Sequence, residues 1–400
     1  MFPRLRFKKF DGDWEKTTIG AKSETVTSGS RDWAQYYSDS GDKFIRMTNL
    51  VRNGINLDLS DLRFVQLPVG SNEGKRTSLE KGDILISITA ELGKLGWIPE
   101  GLGTAYINQH TALVRMKNTL DSKFVAYALS TEKYNNKLNS LNDSGAKAGL
   151  NLGSIRSFEL TIPSKLEQTK IASFLSAVDE KISQLTQKHE LLSQYKQGMM
   201  QKLFSQQIRF KADDGREFGE WEEKKLGEIS KTFSGGTPQS SNKSFYEGSI
   251  PFIKSGEISQ DITEQHINEI ALQKSSAKLV NKGDLLYALY GATSGQVAIS
   301  QIDGAINQAV LCIRSTLNTQ YLLNFFLLKK EEILSTYLQG GQGNLSAAIL
   351  KEIYIPIPCM EEQTKIANFL SAIDQKIEVV AQQIEQAKTW KKGLLQQMFV

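Results

Sequence analysis

The segment of this chain that comes nearest to a phosphate-binding motif is Gly-Ser-Asn-Glu-Gly-Lys-Arg at positions 70–76. A P-loop cradles nucleotide phosphates with a glycine, four further residues and then Gly-Lys followed by serine or threonine. Here only three residues separate Gly70 from Gly74, and Arg76 stands where the hydroxyl residue belongs. The spacing is wrong, so the sequence offers no cradle for nucleotide hydrolysis.

Other enzyme motifs are also missing. No glycine-rich fingerprint follows a strand-like segment, which argues against a Rossmann-type pocket, and no serine or cysteine stands in a nucleophile elbow. His110 and His266 have no metal-ligand partners in sequence. Cys312 and Cys359 form no CxxC pair, so we predict buried small hydrophobes in a reducing cytoplasm. The sequence therefore predicts no catalytic residue, no metal site and no cofactor in this chain.

The strongest signal in the sequence is an internal repeat. The sixteen residues EQTKIASFLSAVDEKI, which begin at Glu167, return at Glu362 as EQTKIANFLSAIDQKI with thirteen identities. Upstream, KGDILISI at Lys81 returns as KGDLLYAL at Lys282. Self-similarity of this extent indicates one globular unit plus one long helix, written twice.

The repeated tail has the period of a coiled coil, with apolar residues on a heptad stripe in both copies. The stripe comprises Ile171, Leu175, Val178, Ile182, Leu185, Leu192, Met199 and Leu203, and then Ile366, Leu370, Ile373, Ile377, Val380, Ile384, Leu394 and Met398. Helices of roughly 40 residues would be about 60 Å long. Lys196, Lys391 and His189 interrupt the stripe as register or solvent-edge features. The nearest partner for each apolar face is the other copy, which predicts two antiparallel helices in one chain.

Each globular unit is predicted to be a mixed α/β (α+β) module. The segments DILISIT, ALVRM, DLLYALY and AVLCIR are typical of short strands. Residues 121–138 and 318–338 favour helices that lead into glycine-rich stretches at 144–152 and 339–346, which we interpret as hinges. Ser-Gly-Gly-Thr-Pro at 234–238 is interpreted as a turn.

The two ends of the chain are predicted to lie close together. LRFKKFDGDW near the start resembles IRFKADDGREFGEW, which follows the first long helix. A continuation of the second helix would therefore be followed by the N-terminus, which predicts a circular, pseudo-twofold arrangement with Val400 near Met1.

Two variable units alternate with the segments IPSKLEQTKIASFLSAVDEKISQL and IPCMEEQTKIANFLSAIDQKIEVV. This order resembles the specificity subunit of type I restriction-modification enzymes over essentially all 400 residues. The resemblance implies target recognition domains at 1–160 and 208–355, joined by conserved spacer helices at 161–207 and 356–400. It also implies a non-catalytic subunit that binds double-stranded DNA in the cytoplasm.

The same resemblance implies partner subunits that perform the chemistry. Two modification (methyltransferase) subunits would bind S-adenosylmethionine and methylate adenines, and restriction subunits would use ATP and magnesium to translocate and cleave DNA. Each globular unit would read one half of a bipartite, asymmetric target, and the helices would act as a ruler that sets the unread spacer.

Candidate DNA contacts were chosen by comparing the two copies. Residues shared by both units cannot alone tell two half-sites apart, so differing residues in equivalent loops are better base readers. Arg46 and Lys254 are predicted to bind phosphate. The other predicted DNA-binding residues are Thr48, Asn49, Thr89, Glu91, Lys94 and His110 in the first unit, and Ser255, Glu257, Tyr290, Thr293, Ser294 and Gln296 in the second. The identical pairs Asn108-Gln109 and Asn307-Gln308 are interpreted as satisfying buried backbone groups.

Apolar residues that flank the helical stripe widen it beyond a two-helix seam, which suggests that helices of other subunits pack alongside. The predicted subunit interface comprises Phe174, Leu175, Val178, Tyr195, Phe369, Leu370, Ile373 and Trp390.

An alternative from another class is a coiled-coil protein-interaction scaffold with no nucleic-acid role. The net charge of +4 is too small to indicate DNA by itself. The matched repeat favours DNA, and co-expression with a neighbouring methyltransferase gene would discriminate between the two functions.

Overall fold

A computed structural model of the chain describes residues 3–141, 149–337 and 345–399. Most of the two predicted glycine-rich hinges, together with Met1 and Val400, lies outside these residues. The chain forms two compact units, one of Met1–Leu185 with Gln383–Val400 and the other of Thr186–Gln382. The boundaries cut through both long helices, so the division into four functional segments stays a prediction.

Among the residues that the structure describes, the first unit contains ten strands and the first part of one long helix. Its strands are β1 Glu15–Thr18, β2 Ser23–Ser28, β3 Tyr37–Ser38, β4 Asp42–Ile45, β5 Arg63–Val65, β6 Ile84–Ser87, β7 Leu95–Trp97, β8 Ala105–Ile107, β9 Thr111–Met116 and β10 Glu159–Ile162. Its helices are α1 Ile19–Lys22, α2 Ser122–Ser130, α3 Glu132–Ser140, α4 Leu152–Ser157 and the long α5 Lys165–Phe204. Short 3₁₀ turns lie at Trp33–Tyr36, Met47–Asn49 and Lys75–Thr77.

The second unit repeats this plan. Its strands are β11 Glu222–Lys225, β12 Ser230–Ser234, β13 Ile250–Ile253, β14 His266–Ile267, β15 Lys278–Val280, β16 Leu285–Ala288, β17 Val297–Ile299, β18 Gly304–Ile306, β19 Val310–Ser315 and β20 Tyr354–Ile357. Its helices are α6 Leu226–Ile229, α7 Glu269–Gln273, α8 Thr319–Tyr337, α9 Ala347–Lys351 and the long α10 Met360–Met398, and a 3₁₀ turn lies at Lys243–Tyr246.

The sheets of the two units correspond closely, but the sheet that contains β4 has its extra edge strand, β3, beside β5, whereas the sheet that contains β13 has its extra edge strand, β15, beside β18. The first unit has the strand orders β2-β9-β6-β7, β3-β5-β4-β8 and β1-β10, and the second has β12-β19-β16-β17, β14-β13-β18-β15 and β11-β20. All pairings are antiparallel except one in each unit, where β4 pairs in parallel with β8 and β13 with β18. The predicted strands and the predicted mixed fold are confirmed.

The alternation of side chains along the central strands builds two cores in each unit. On β6, Ile84 and Ile86 join a core with helix α2, while Leu85 faces the second sheet beside Ile45. On β16, Leu285 and Tyr287 join one core, and Leu286 and Ala288 join the other. Both faces of these strands are therefore buried, which explains their nearly continuous apolar sequences.

The predicted pairing of the long helices is found inside each unit. In the first unit, Leu175 and Val178 near the start of α5 share a core with Leu394 and Met398 near the end of α10. In the second, Leu203 at the end of α5 packs in a core with Ile366, Leu370 and Ile373 near the start of α10. The helices are therefore antiparallel, and the predicted stripe is confirmed.

Two lysines that interrupt the stripe are paired across the helices. Lys196 on α5 forms a salt bridge of 2.6 Å with Asp374 on α10. Lys391 on α10 forms the equivalent ion pair with Asp179 on α5. The break in the apolar pattern thus fixes the register of each helix pair, which is one of the two roles that the sequence left open.

The repeated Glu-Gln dipeptide anchors the start of each long helix. Arg6 bonds both oxygens of Glu167 at 2.7 Å, and Arg209 bonds Glu362 at 3.1 and 2.7 Å. Gln168 accepts the backbone N–H of Asp121 at 2.9 Å, and Gln363 accepts that of Asn318 at 2.9 Å. The carboxylates and amides are all buried, so this dipeptide recurs because it ties helix to globular core.

The terminal segment closes onto the first unit. The amide of Leu5 donates to the carbonyl of Gln397 at 2.9 Å, and Phe7 packs edge-on against Phe174 at 5.7 Å. Phe210 packs in the same way against Phe369 at 5.6 Å in the second unit. The likeness between the two arginine-phenylalanine segments is therefore structural, as the circular arrangement requires.

The prediction for the cysteines is half right. Cys312 is buried in a core, and burial raises the pKa of its thiol to about 12. Cys359 is exposed instead of buried, since it stands in the short connection between β20 and α10. Among the helices that the structure describes, none is both long and apolar enough to cross a membrane.

Candidate nucleic-acid interface

Three loops meet at one edge of each unit. Strands β4 and β8 are neighbours and run parallel, so the turn at Arg46 and the turn at Asn108 lie side by side at their carboxyl ends. The β6–β7 loop joins them, because the amide of Ile88 donates to the carbonyl of His110 at 3.0 Å. In the second unit the amide of Leu289 makes the same bond to Ala309 at 2.8 Å.

A glycine holds a fourth segment against this edge. The chain leaving β2 crosses the end of β8 at Gly29, where a Cβ would lie 2.1 Å from the carbonyl oxygen of Ile107. At Gly235, after β12, a Cβ would lie 1.8 Å from the oxygen of Ile306. Only glycine permits so close a crossing, so the Ser-Gly turn is a shared part of the loop frame.

In the first unit the predicted loop residues form two bonded groups, one of which also includes Gln109. The hydroxyl of Thr89 lies 2.8 Å from Nδ1 of His110, and Nε2 of His110 lies 2.9 Å from Nε2 of Gln109. Glu91 and Lys94 form an ion pair across the tip of the loop, and the hydrogen bond from Lys94 lowers the pKa of the exposed Glu91 carboxyl. Thr89, His110 and Gln109 therefore form one bonded group, and Glu91 and Lys94 form a second one on the β6–β7 loop.

The residues after β4 differ in exposure and in hydrogen bonding. Thr48 is exposed, whereas Asn49 is buried and accepts the backbone N–H of Arg46 at 2.9 Å while donating to the carbonyl of Asp58 at 2.8 Å. Arg46 donates to the carboxylate of Asp61 at 2.7 Å. Asn49 closes the turn in this structure. Base reading by Asn49 stays a prediction, and the burial of its side chain does not favour it.

The equivalent loop of the second unit uses a carboxylate for the same closure. Glu257 accepts the backbone N–H of Lys254 at 3.0 Å and that of Glu264 at 2.8 Å. Lys254 lies 3.4 Å from the carboxylate of Glu264, and Ser255 is half-buried beside them. The phosphate role predicted for Arg46 and Lys254 stays a prediction, and each cation has an acidic neighbour on an exposed loop.

The β16–β17 loop presents the remaining predicted residues. Tyr290, Thr293 and Ser294 are half-buried, and Gln296 is exposed. The hydroxyl of Ser294 donates to the carbonyl of Leu289 at 3.0 Å, and burial raises the pKa of Tyr290. Gln296 is thus the most exposed of the four predicted side chains on this loop.

The identical Asn-Gln pairs are only partly explained by the sequence interpretation. Asn108 accepts the backbone N–H of His110 at 3.1 Å, and Asn307 accepts that of Ala309 at 3.0 Å. The glutamines bond side chains instead: Gln109 contacts His110, and Gln308 accepts the hydroxyl of Thr237 at 2.6 Å. The sequence comparison passed over Gln109 and Gln308 because they are identical in the two copies, and it interpreted Thr237 only as part of a turn.

Four of the predicted subunit-interface residues are buried within the chain itself. Leu175, Val178, Leu370 and Ile373 lie in the cores formed by the paired long helices, so the prediction that they face another subunit is wrong. The helix stripe is wide because the chain's own globular core and terminal segments pack on it, which the repeat pattern could not show.

The other four predicted interface residues keep some accessible surface. Phe174 and Phe369 are half-buried under Phe7 and Phe210. Tyr195 and Trp390, which occupy equivalent positions in the repeat, are 52% and 54% exposed. Exposed aromatic residues of this kind are enriched at protein interfaces.

Within residues 3–141, 149–337 and 345–399, no three His, Cys, Asp or Glu side chains are grouped so that they could hold a metal ion. The loop edge instead offers amides, hydroxyls and a few cations, which are the groups that read base edges and bind phosphate.

A family model described as the type I restriction modification DNA specificity domain matches the chain twice, at residues 12–194 and 219–389. These matches cover most of the chain. The chain belongs to this family of DNA specificity subunits. The resemblance inferred from the repeated helices is therefore confirmed, together with the assignment of the protein to type I restriction-modification systems.

Curated relatives of this specificity subunit agree. A protein of Methanocaldococcus jannaschii, provisionally named as the type I restriction enzyme MjaX specificity subunit, is 27% identical over 98% of this chain and 94% of its own length. The Escherichia coli EcoR124I/EcoR124II specificity subunit is 28% identical over 39% of this chain and 41% of its own length.

Solved structures share the fold. The S subunit of the M. genitalium type I system aligns with a TM-score of 0.64 and 16% identity, over 100% of this chain and 99% of that chain. A chain from a structural study of type I complex assembly and conformational transition aligns with a TM-score of 0.56 and 16% identity, over 96% and 97%. At this identity the likeness supports the fold alone.

Proposed function

We propose that this specificity subunit reads a bipartite, asymmetric double-stranded DNA target, one half with each unit. The observation that carries the proposal is the loop frame that the two units share, with different side chains on it. Both units use the same parallel strand ends, the same glycine crossing and the same Asn-capped turn, but they present His110 and Thr89 in one and Thr237 and Thr293 in the other. Loops that share a backbone frame but carry different side chains suit two half-sites of different sequence.

The chain has no catalytic role in this proposal. Adenine methylation belongs to two modification subunits that bind S-adenosylmethionine, and cleavage belongs to restriction subunits that use ATP and magnesium. Trp390 in the first unit and Tyr195 in the second support a pair of equivalent docking points for the modification subunits, because each is a half-exposed aromatic residue at the same repeat position.

The electrostatics are consistent with recognition that depends on partners. Net charge is only +4, and the loop cations Arg46, Lys94 and Lys254 each have an acidic neighbour. Binding to DNA by this chain alone should therefore be weak, with a shallow salt dependence, because few phosphates would be neutralised. Modification subunits would add the phosphate contacts that the isolated chain lacks.

The test is methylome sequencing of a host that carries the modification genes, with and without this chain. We expect methylated adenines in a two-part motif only when the chain is present. Native mass spectrometry of the co-expressed complex should give one copy of this chain with two modification subunits. Stable association with other proteins but no methylated motif would favour the scaffold function instead.

A further inference from the structure

The Asn-Gln turn holds a glutamine in the same place in both units. Asn108 and Asn307 cap their turns with bonds of 3.1 and 3.0 Å to the backbone N–H two residues ahead. The backbone of both turns is closed again by the amides of Thr111 and Val310, which donate to the carbonyls of these asparagines at 3.2 and 3.3 Å. The glutamine between the capping asparagine and the strand therefore starts from the same rigid backbone in each unit.

The neighbour that holds the glutamine differs between the units. In the first unit Gln109 lies 2.9 Å from Nε2 of His110, whose other ring nitrogen is 2.8 Å from the hydroxyl of Thr89. In the second unit Ala309 replaces the histidine, and its methyl group cannot form a hydrogen bond. There the hydroxyl of Thr237 donates to the glutamine side chain at 2.6 Å.

The position of Thr237 has its own counterpart in the first unit. Ser-Gly-Ser-Arg at 28–31 aligns with Ser-Gly-Gly-Thr at 234–237 through the two crossing glycines. Arg31 therefore stands where Thr237 stands, and it is exposed. Each unit thus supplies one side chain to hold its glutamine, from the following residue in one case and from the neighbouring segment in the other.

We propose that Gln109 and Gln308 read base edges, and that His110 and Thr237 are positioning residues that make the same glutamine read differently in the two half-sites. This inference rests on the proposed function. A glutamine amide carries a donor end and an acceptor end, and the bonded neighbour fixes one end and leaves the other for the DNA. A preorganised amide discriminates between bases better than a freely rotating one.

The bonding pattern separates this reading from a structural role. A glutamine that satisfied buried backbone groups would bond main-chain atoms from a buried position. Gln308 is exposed, Gln109 is half-buried, and both side chains bond other side chains at the loop edge. The asparagines carry the structural task, which leaves the glutamines for recognition.

The test uses the complete methylation complex with three variants of the second unit. In Gln308→Ala, base preference at one position of the second half-site should fall by about tenfold, the size expected for loss of one good base contact. Thr237→Val, which keeps the shape but removes the hydroxyl, should relax preference at that same position, and Thr237→Ser should restore it. Methylome sequencing measures each position separately, and the first half-site is the internal control. His110→Ala should relax one position of the first half-site only.

The outcomes are distinguishable. A wild-type complex that gives no two-part motif would overturn the proposed function and this inference together. A wild-type motif that Gln308→Ala leaves unchanged, or weakens equally at every position, would overturn the inference alone. An altered motif in Gln308→Ala with an unchanged one in Thr237→Val would overturn the positioning role.

Discussion

In the first unit the turn after β4 is closed by the amide of Asn49, and in the second the turn after β13 is closed by the carboxylate of Glu257. In the first unit Thr131 is the N-cap of α3 and separates it from α2, whereas Leu328 at the equivalent position lies within the continuous helix α8. The turn is therefore closed by different side chains on a shared backbone, whereas the helix differs between the units in its backbone as well. A fold of this kind can exchange its loop residues and keep its frame, which is what a recognition unit needs.

The most far-reaching test of the comparison is to exchange one unit. Replacing residues 208–355 by the equivalent segment of another family member should change one half of the methylated motif completely and leave the other half intact. The physical reason is that the loops of each unit are built from its own strands and turns. Methylome sequencing of the exchanged protein decides, with the wild-type chain as control. A change in both halves would contradict independent reading by the two units.

The anchors of the long helices offer a second comparison. Glu362 accepts bonds from Arg209 and also from the indole of Trp221 at 2.9 Å. In the first unit the indole nitrogen of Trp14 has no partner among the described residues, and Glu167 is held by Arg6. Removing one partner of a buried ion pair costs about 3–5 kcal/mol. Arg6→Ala should therefore destabilise its unit by about that amount.

Arg209→Ala should cost less, because Trp221 still donates to the buried carboxylate. Hydrogen-exchange protection at the starts of α5 and α10 measures the two anchors separately in one protein. Arg6→Lys and Arg209→Lys are the matched controls, since they keep the charge and lose the paired geometry. Equal losses of protection in the two alanine variants would show that the indole hydrogen bond does not contribute to stability.

The surroundings of the two proposed docking residues, Trp390 and Tyr195, differ. Trp390 is stacked edge-on against Phe174 at 5.9 Å, whereas Tyr195 lies one helical turn from the exposed Leu191. Trp390→Asp and Tyr195→Asp should each weaken binding of one modification subunit by about 2 kcal/mol, the size of an interface hot spot. Native mass spectrometry should show complexes that retain a single modification subunit. Leu279→Asp, an equally exposed apolar residue on β15, is the control and should leave the complex unchanged.

The sequence predicted the elements well because their patterns are local and repeated. The heptad stripe of α5 and α10 and the alternation of β6 and β16 can be read from spacing alone. The errors concern what packs on a surface: Leu175 and Leu370 were assigned to another subunit because a wide apolar stripe does not say which residues cover it. Gln109 and Gln308 were set aside because identity between copies hides a difference in neighbours, and Thr237 contacts Gln308 from 71 residues away. Such contacts depend on tertiary structure.

The smallest expected effects on stability concern two buried tyrosines, one in each unit. Tyr127 in the first unit donates to Asp179 at 2.7 Å, whereas the hydroxyl of Tyr287 in the second unit is buried without a partner among the described residues. A hydrogen bond to a charged group contributes about 1.5–3 kcal/mol, so Tyr127→Phe should destabilise its unit by about that amount. Tyr287→Phe should be nearly neutral at pH 7, because it removes a hydroxyl that has already lost its bonds to water.

The buried hydroxyl of Tyr287 also predicts an effect of alkaline pH on stability. Burial raises the pKa of Tyr287 to about 12, above the value of about 10 for an exposed tyrosine. A raised pKa in the folded state means that this contribution to stability is complete below about pH 10 and is lost as pH rises towards 12. Urea unfolding at pH 8 and pH 11, followed by hydrogen exchange in each unit, measures it. Tyr287→Phe should lose less stability between these pH values than wild type in the second unit and match it in the first. An identical loss in wild type and Tyr287→Phe would mean that the hydroxyl is hydrated in the folded protein.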